Sequence, residues 1–127
     1  MDQPPASIVV TSFNDCINRR DIEGLAKLMT DDHVLIDSAN TVTSGKQRCL
    51  AAWKGFFDAF PDYRNHVERV LVAGTDAVII GHSDCSDVRL AGPALWTAKV
   101  QGPLISEWRV YDDTEANRTL LGVRNRS

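Results

Sequence analysis

Three side chains in this chain stand where proton chemistry would need them: Asp37, Asp112 and His82. Asp37 closes the apolar run Val34-Leu35-Ile36, and Asp112 closes a run carrying Trp108, Val110 and Tyr111. A carboxylate set against apolar walls is a stronger base, because desolvation disfavours its charged form and raises its pKa. His82 follows Ile79-Ile80-Gly81, and imidazole exchanges a proton near neutrality. Each has an ordinary reading beside the chemical one. Asp at a strand end commonly starts a solvated turn by bonding its own backbone, and a lone His on an apolar strand is commonly just hydrogen-bonded. His33 and His66 are weaker candidates still. No HxH, HxxxH, HxxE or CxxC spacing occurs, so no metal site is expected, and no cofactor is expected either. The chemistry in view is cofactor-free proton transfer.

Aromatic residues give those groups a setting. Trp53, Phe56, Phe57 and Phe60 recur at helical spacing, while Trp96 and Trp108 fall in runs of strand character. Trp53, Phe57, Trp96 and Trp108 are expected to line a pocket for a small, mostly apolar or carbonyl-bearing molecule.

The elements that must hold these residues change period midway. Ile8, Val9, Phe13, Cys16 and Ile17 predict one apolar helical stripe. Asp21 is placed to cap a second short helix carrying Ile22, Leu25, Ala26 and Met29. A brief strand, 33–37, follows. Ser44-Gly45-Lys46-Gln47 has the form of a capping box opening a third helix, which Pro61 stops. Strands are then expected at 66–72, 77–84, 95–100 and 104–112, with 84–93 a loop and Asp113 capping a last helical run. Strict alternation in the final strand puts Trp108, Val110 and Asp112 on one face and Ile105, Glu107, Arg109 and Tyr111 on the other. Helices first and an antiparallel meander after imply an α+β fold, a curved sheet wrapped around N-terminal helices. Residues 1–6 read as a loose lead and 123–127 as a frayed tail.

Composition narrows the classes. The 127 residues suit a single domain spanning 1–127, are 43% hydrophobic, and carry a formal net charge of −3. No apolar run approaches the roughly 20 residues of a membrane span, and Met1-Asp2-Gln3-Pro4-Pro5 lacks the features of a signal peptide. No basic cluster is present to displace counterions from nucleic acid. Cys16, Cys49 and Cys85 are odd in number and far apart, as in a reduced, cytoplasmic protein.

Two stretches carry a family resemblance. Asp21-Ile22-Glu23-Gly24-Leu25-Ala26-Lys27-Leu28-Met29-Thr30-Asp31-Asp32, continuing through Asp37, Gly45 and Trp53, resembles the opening of ketosteroid isomerases and SnoaL-like polyketide cyclases. Ile105-Ser106-Glu107-Trp108-Arg109-Val110-Tyr111-Asp112-Asp113-Thr114 is similar to the terminal strand of SnoaL-like and limonene-epoxide-hydrolase-like proteins. Together they place the chain by resemblance in the nuclear transport factor two-like superfamily, which implies a cone-shaped α+β roll and a homodimer formed on the sheet face of Glu107, Arg109 and Tyr111. The solvated alternative for that face stays open. By resemblance, Asp37 matches the isomerase general base. Phe13 stands for that family's oxyanion-holding tyrosine, and Trp96 for its second donor, so one hydroxyl donor is lost and an indole N–H remains. Val110 occupies the position of the cyclase acid. Asp87-Val88-Arg89 supplies at best two parts of the Asp–Arg–Asp set of the epoxide hydrolases. The resemblance thus implies a pocket lined by Phe13, Trp53, Phe57, Trp96, Trp108 and Val110. Two functions follow as expectations: a cofactor-free isomerase, cyclase or dehydratase with Asp37 as base and Asp112 or His82 as second proton carrier, or a non-catalytic ligand-binding or association domain. Convergence of Asp37, Asp112 and His82 on one cavity would separate them.

Overall fold

The computed structural model describes residues 4–123. Helix α1 (Ala6–Arg19) buries Val9, Val10, Phe13, Cys16 and Ile17. Ile8 falls off that stripe and is exposed, while Val10 is fully buried in its place, because the buried face is centred on the 9/13/16–17 line. Arg20, at φ 56°, turns the chain, and the Asp21 carboxylate caps α2 (Ile22–Leu28) by accepting from the Gly24 N–H at 2.9 Å. Strand β1 (Met29–Ile36) begins earlier than its apolar run suggested, and a three-residue strand β2 (Val42–Ser44) pairs with it. Ser44 therefore belongs to β2 and caps nothing. Helix α3 (Lys46–Ala59) starts from Gly45, whose φ of 98° suits glycine and whose carbonyl accepts from Cys49 N–H at 2.9 Å.

Strands β3 (Arg64–Ala73), β4 (Asp76–Asp84), β5 (Gly92–Gln101) and β6 (Leu104–Asp112) form an antiparallel meander. The six strands lie in the order β2-β1-β6-β5-β4-β3, and β1 and β6 run parallel. One face carries α1, α2 and α3, which close the main core over Trp96, Trp108, Ile79 and Ile105. The other face holds a smaller cluster of Ile80, Leu95 and Val123, with Leu71, Val78, Tyr111 and Leu121 packed against it. Val123, expected to be frayed, is thus buried; residues 124–127 of that expected tail, like 1–3 of the lead, lie outside the described residues.

Two bulges break strict alternation in the meander, and β1 slips register against β6 between Met29 and Val34. At Ser106 the β5–β6 register slips, so Ile105 joins Trp108 in the inner core instead of facing outward with Glu107. At Glu68 the β3–β4 register slips, and Val67 and Val70 both turn inward. Helix α4 (Glu115–Leu120) is capped by Thr114, whose hydroxyl accepts from Asn117 N–H at 3.1 Å. Asp113, the expected cap, instead holds the guanidinium of Arg118 with both carboxylate oxygens, and both side chains are buried.

Candidate functional site

The cone's open end leaves a cavity of about 250 Å³ between α3, the start of β2 and the end of β1. Its apolar walls are Leu35, Ala52, Trp53, Phe56, Leu90 and Val110; its polar rim is Asp37, Ser38, Thr41, Thr43 and Tyr63. The volume lies just under the range of drug-sized pockets, so the occupant is small. The aromatic surface of α3 explains the walls: Trp53 meets Phe56 edge-on at 5.9 Å, and Phe56 meets Tyr63 edge-on at 4.8 Å.

Asp37 stands at this rim and also makes the turn. Its Oδ1 accepts from the N–H groups of Ala39 and Thr41, both at 2.9 Å. Its Oδ2 accepts no hydrogen bond among the described residues. The side chain is exposed, so it meets both the pocket and water. Tyr63 is the other titratable group here, and burial pushes its phenol up. Ser83 Oγ donates to Asn65 Oδ1 at 2.7 Å, which leaves Tyr63 to donate its own proton to Ser83 at 3.2 Å. Tyr63 is therefore engaged as a donor within the wall. The Trp53 indole N–H is buried with no acceptor among the described residues.

Asp37, Asp112 and His82 do not converge. Asp112 is exposed at the end of β6, where its carbonyl accepts from Thr114 N–H and the Asn117 amide, and it does not line the cavity. His82 alternates with the inward residues Ile79 and Gly81 and points to the opposite sheet face, stacked on His66 with ring centroids 4.6 Å apart. Among the aromatic candidates Trp53 lines the cavity, as does Val110. Trp96 and Trp108, each 1% exposed, and Phe13, fully buried, fill the cone's interior instead. Phe13 packs on Trp108 at 4.7 Å and on His33 at 5.7 Å. Phe57 stacks on Trp53 and faces a shallow crevice beside Arg20 and Ile22. Asp87 and Arg89 pair with each other in the exposed 84–93 segment, and the guanidinium holds Asp87 down to about 2.

The remaining lining residues were not singled out from sequence. Ser38, Thr41 and Thr43 belong to the β1–β2 hairpin, whose short second strand leaves little alternation to read. Leu90 comes from a loop, and Tyr63 follows a helix-ending Pro61. A hydrophobic residue in a polar loop, as Leu90 is, was the one usable signal.

These features can now be set beside known proteins. The SnoaL-like domain family matches residues 10–116, and the chain belongs to that family, within the nuclear transport factor two-like superfamily. A comparison with proteins of curated function finds no match. Among solved structures, a proposed SnoaL-like polyketide cyclase from Shewanella putrefaciens superposes with TM-score 0.74 at 17% identity, covering 95% of this chain and 98% of that one. An LEH-like epoxide hydrolase from Mycobacterium tuberculosis gives 0.73 at 15% identity, covering 93% and 88%. A nuclear transport factor two-like protein of unknown function from Cytophaga hutchinsonii gives 0.72 at 15%, covering 94% and 97%. At these identities the likeness is one of fold. No helix among the described residues is long and apolar enough to cross a membrane.

Proposed function

We propose that this protein is a receptor for a small, mostly apolar, carbonyl-bearing molecule held at the open end of the cone. The carrying observation is the cavity itself: six apolar walls, a rim of short hydroxyl side chains, and one carboxylate. Apolar walls supply affinity by area removed from water, about 25 cal/mol per Å², and the few rim groups orient the ligand. A ligand carbonyl that reached the Trp53 N–H would satisfy a buried donor whose lack of a partner costs about 1–3 kcal/mol.

Binding alone needs no second proton carrier, and Asp112 and His82 lie away from the cavity. A second reading, cofactor-free proton transfer as in an isomerase, cyclase or dehydratase, is favoured by one specific observation: Asp37 Oδ2 is open at the rim. In it Asp37 takes a proton from carbon next to the ligand carbonyl and returns it, acting as both base and acid.

The test is titration with a panel of small cyclic ketones and enones, read by quenching of tryptophan fluorescence. Saturable quenching that Ala52→Phe abolishes, with unchanged circular dichroism, supports the pocket; quenching indifferent to Ala52→Phe overturns it. Asp37→Asn then separates the readings. A receptor keeps its affinity and shows no turnover in either form. An enzyme shows solvent deuterium exchange into the ligand that drops about 10²–10⁴-fold in the variant.

A further inference from the structure

We propose that His66, His82 and Asp84, on the sheet face turned away from the pocket, form a binding site for a divalent transition-metal ion of zinc's class. One ring nitrogen from each histidine and a carboxylate oxygen of Asp84 lie within 4.8 Å of one another. His66 and His82 are direct partners in the β3–β4 ladder, and Asp84 sits two residues beyond His82 on the same face. His66 Nε2 and Asp84 Oδ2 already meet at 2.6 Å. All three side chains project from paired strands, which hold them more firmly than a loop would.

The distances suit the ion. Zinc takes histidine nitrogen at about 2.0–2.1 Å and carboxylate oxygen at about 2.0–2.2 Å, so tetrahedral ligand atoms stand about 3.3 Å apart. Small rotations of these partly exposed side chains bring the widest separation in and open the His66–Asp84 contact, with the metal replacing the bridging proton. The backbone beneath is built tight: a Cβ on Gly81 would lie 1.9 Å from the His66 carbonyl oxygen. The two imidazoles stand 17° from parallel with centroids 4.6 Å apart, and one of them must turn about its Cβ–Cγ bond out of this stack for both in-plane lone pairs to reach one ion.

The fourth position has two sources. The Glu68 carboxylate, on the bulge, lies 3.9 Å from His82 Nδ1, and bulges commonly re-aim a side chain in this way. A concavity lined by Glu68, His82, Asp84 and Pro93 adjoins the cluster and gives room for solvent or an external ligand. Two imidazoles with carboxylate select zinc, copper or nickel over magnesium and calcium, which prefer all-oxygen shells. No local spacing announces the site because its ligands meet across a strand pair.

The experiment is calorimetric titration of zinc chloride into tag-free protein, with magnesium chloride in parallel. Zinc should bind at one ion per chain and raise the Tm, since it binds the folded form; magnesium should give no saturable heat. His66→Ala, His82→Ala and Asp84→Asn should each weaken zinc at least about tenfold with unchanged circular dichroism, and Cys85→Ser should bind as the parent does. No saturable zinc binding overturns the proposal. So does binding that survives His82→Ala or is lost in Cys85→Ser, and so does magnesium binding as tightly as zinc.

Discussion

His33 is fully buried, with Nδ1 2.7 Å from the Ile105 carbonyl oxygen and Nε2 without a partner among the described residues. Burial lowers its pKa, against a smaller upward pull from the Ile105 carbonyl and Asp32. The unfolded chain, near pKa 6.5, therefore binds more protons than the folded one between the two values. Stability from this group is complete above about pH 6.5 and falls as pH drops through the folded value. This contribution to the Tm should be level from pH 8 to about 6.5 and decline below that toward pH 5, and His33→Asn should flatten that slope whatever it does to the Tm itself. Asp87, held near 2 by Arg89, acts only at lower pH, outside this window. The same scale shows where sequence ran out. The place of Asp37 beside an apolar cavity was legible because an apolar run ended in it. His82 was not, since its neighbours Ile79 and Ile80 occupy opposite faces and both are buried, so an apolar flank did not say which face bore the histidine.

Apart from the three-residue strand β2, elements were legible in kind and order. The Asp21 cap was legible too, but the caps expected at Ser44 and Asp113 were misplaced and the bulges missed, because these depend on one residue against tertiary packing. The Ser106 bulge shifts Ile105 from the predicted outer face to the core, and strict period-two reasoning has no way to foresee an inserted residue. Gly81 is the corresponding fixed point on β4: a methyl group there would strike the His66 carbonyl and press within 3.3 Å of the Trp96 ring. Gly81→Ala should cost roughly 3 kcal/mol in chemical denaturation, whereas Gly55→Ala, with open space at its Cβ on α3, should cost nothing and gain helix propensity. At the chain's late end, Asp113 and Arg118 tie α4 to the strand before it. Asp113→Ala should lower the Tm and raise binding of a hydrophobic dye as Ile80 and Leu95 lose their cover.

For the molecule as a whole, the α+β class and the helix-wrapped curved sheet could be read from the change of period at residue 60. The pocket's size could not be. It depends on Phe13, Trp96 and Trp108 filling the interior, and side-chain packing of that kind leaves no trace in spacing. We further propose that two copies pair through the outer face, where Glu107, Arg109 and Tyr111 are half-buried in the single chain and the Arg109 guanidinium lies 4.7 Å over the Tyr111 ring. Light scattering at micromolar concentration should give about 28 kDa, twice the chain's 14.0 kDa; a mass of 14.0 kDa would remove the pairing.

The parallel ladder between β1 and β6 has a further consequence, one that concerns synthesis on the ribosome. β1 ends at Ile36, and its central partner ends at Asp112. At about 5–20 residues per second, translation leaves β1 without that partner for roughly 4–15 s. During that wait the nascent chain has α1, α2 and α3 but no β6 for them to close upon. A premature stop before Leu104 would leave β1 an open edge beside exposed aromatic surface, so truncated products should be the ones that chaperones retain.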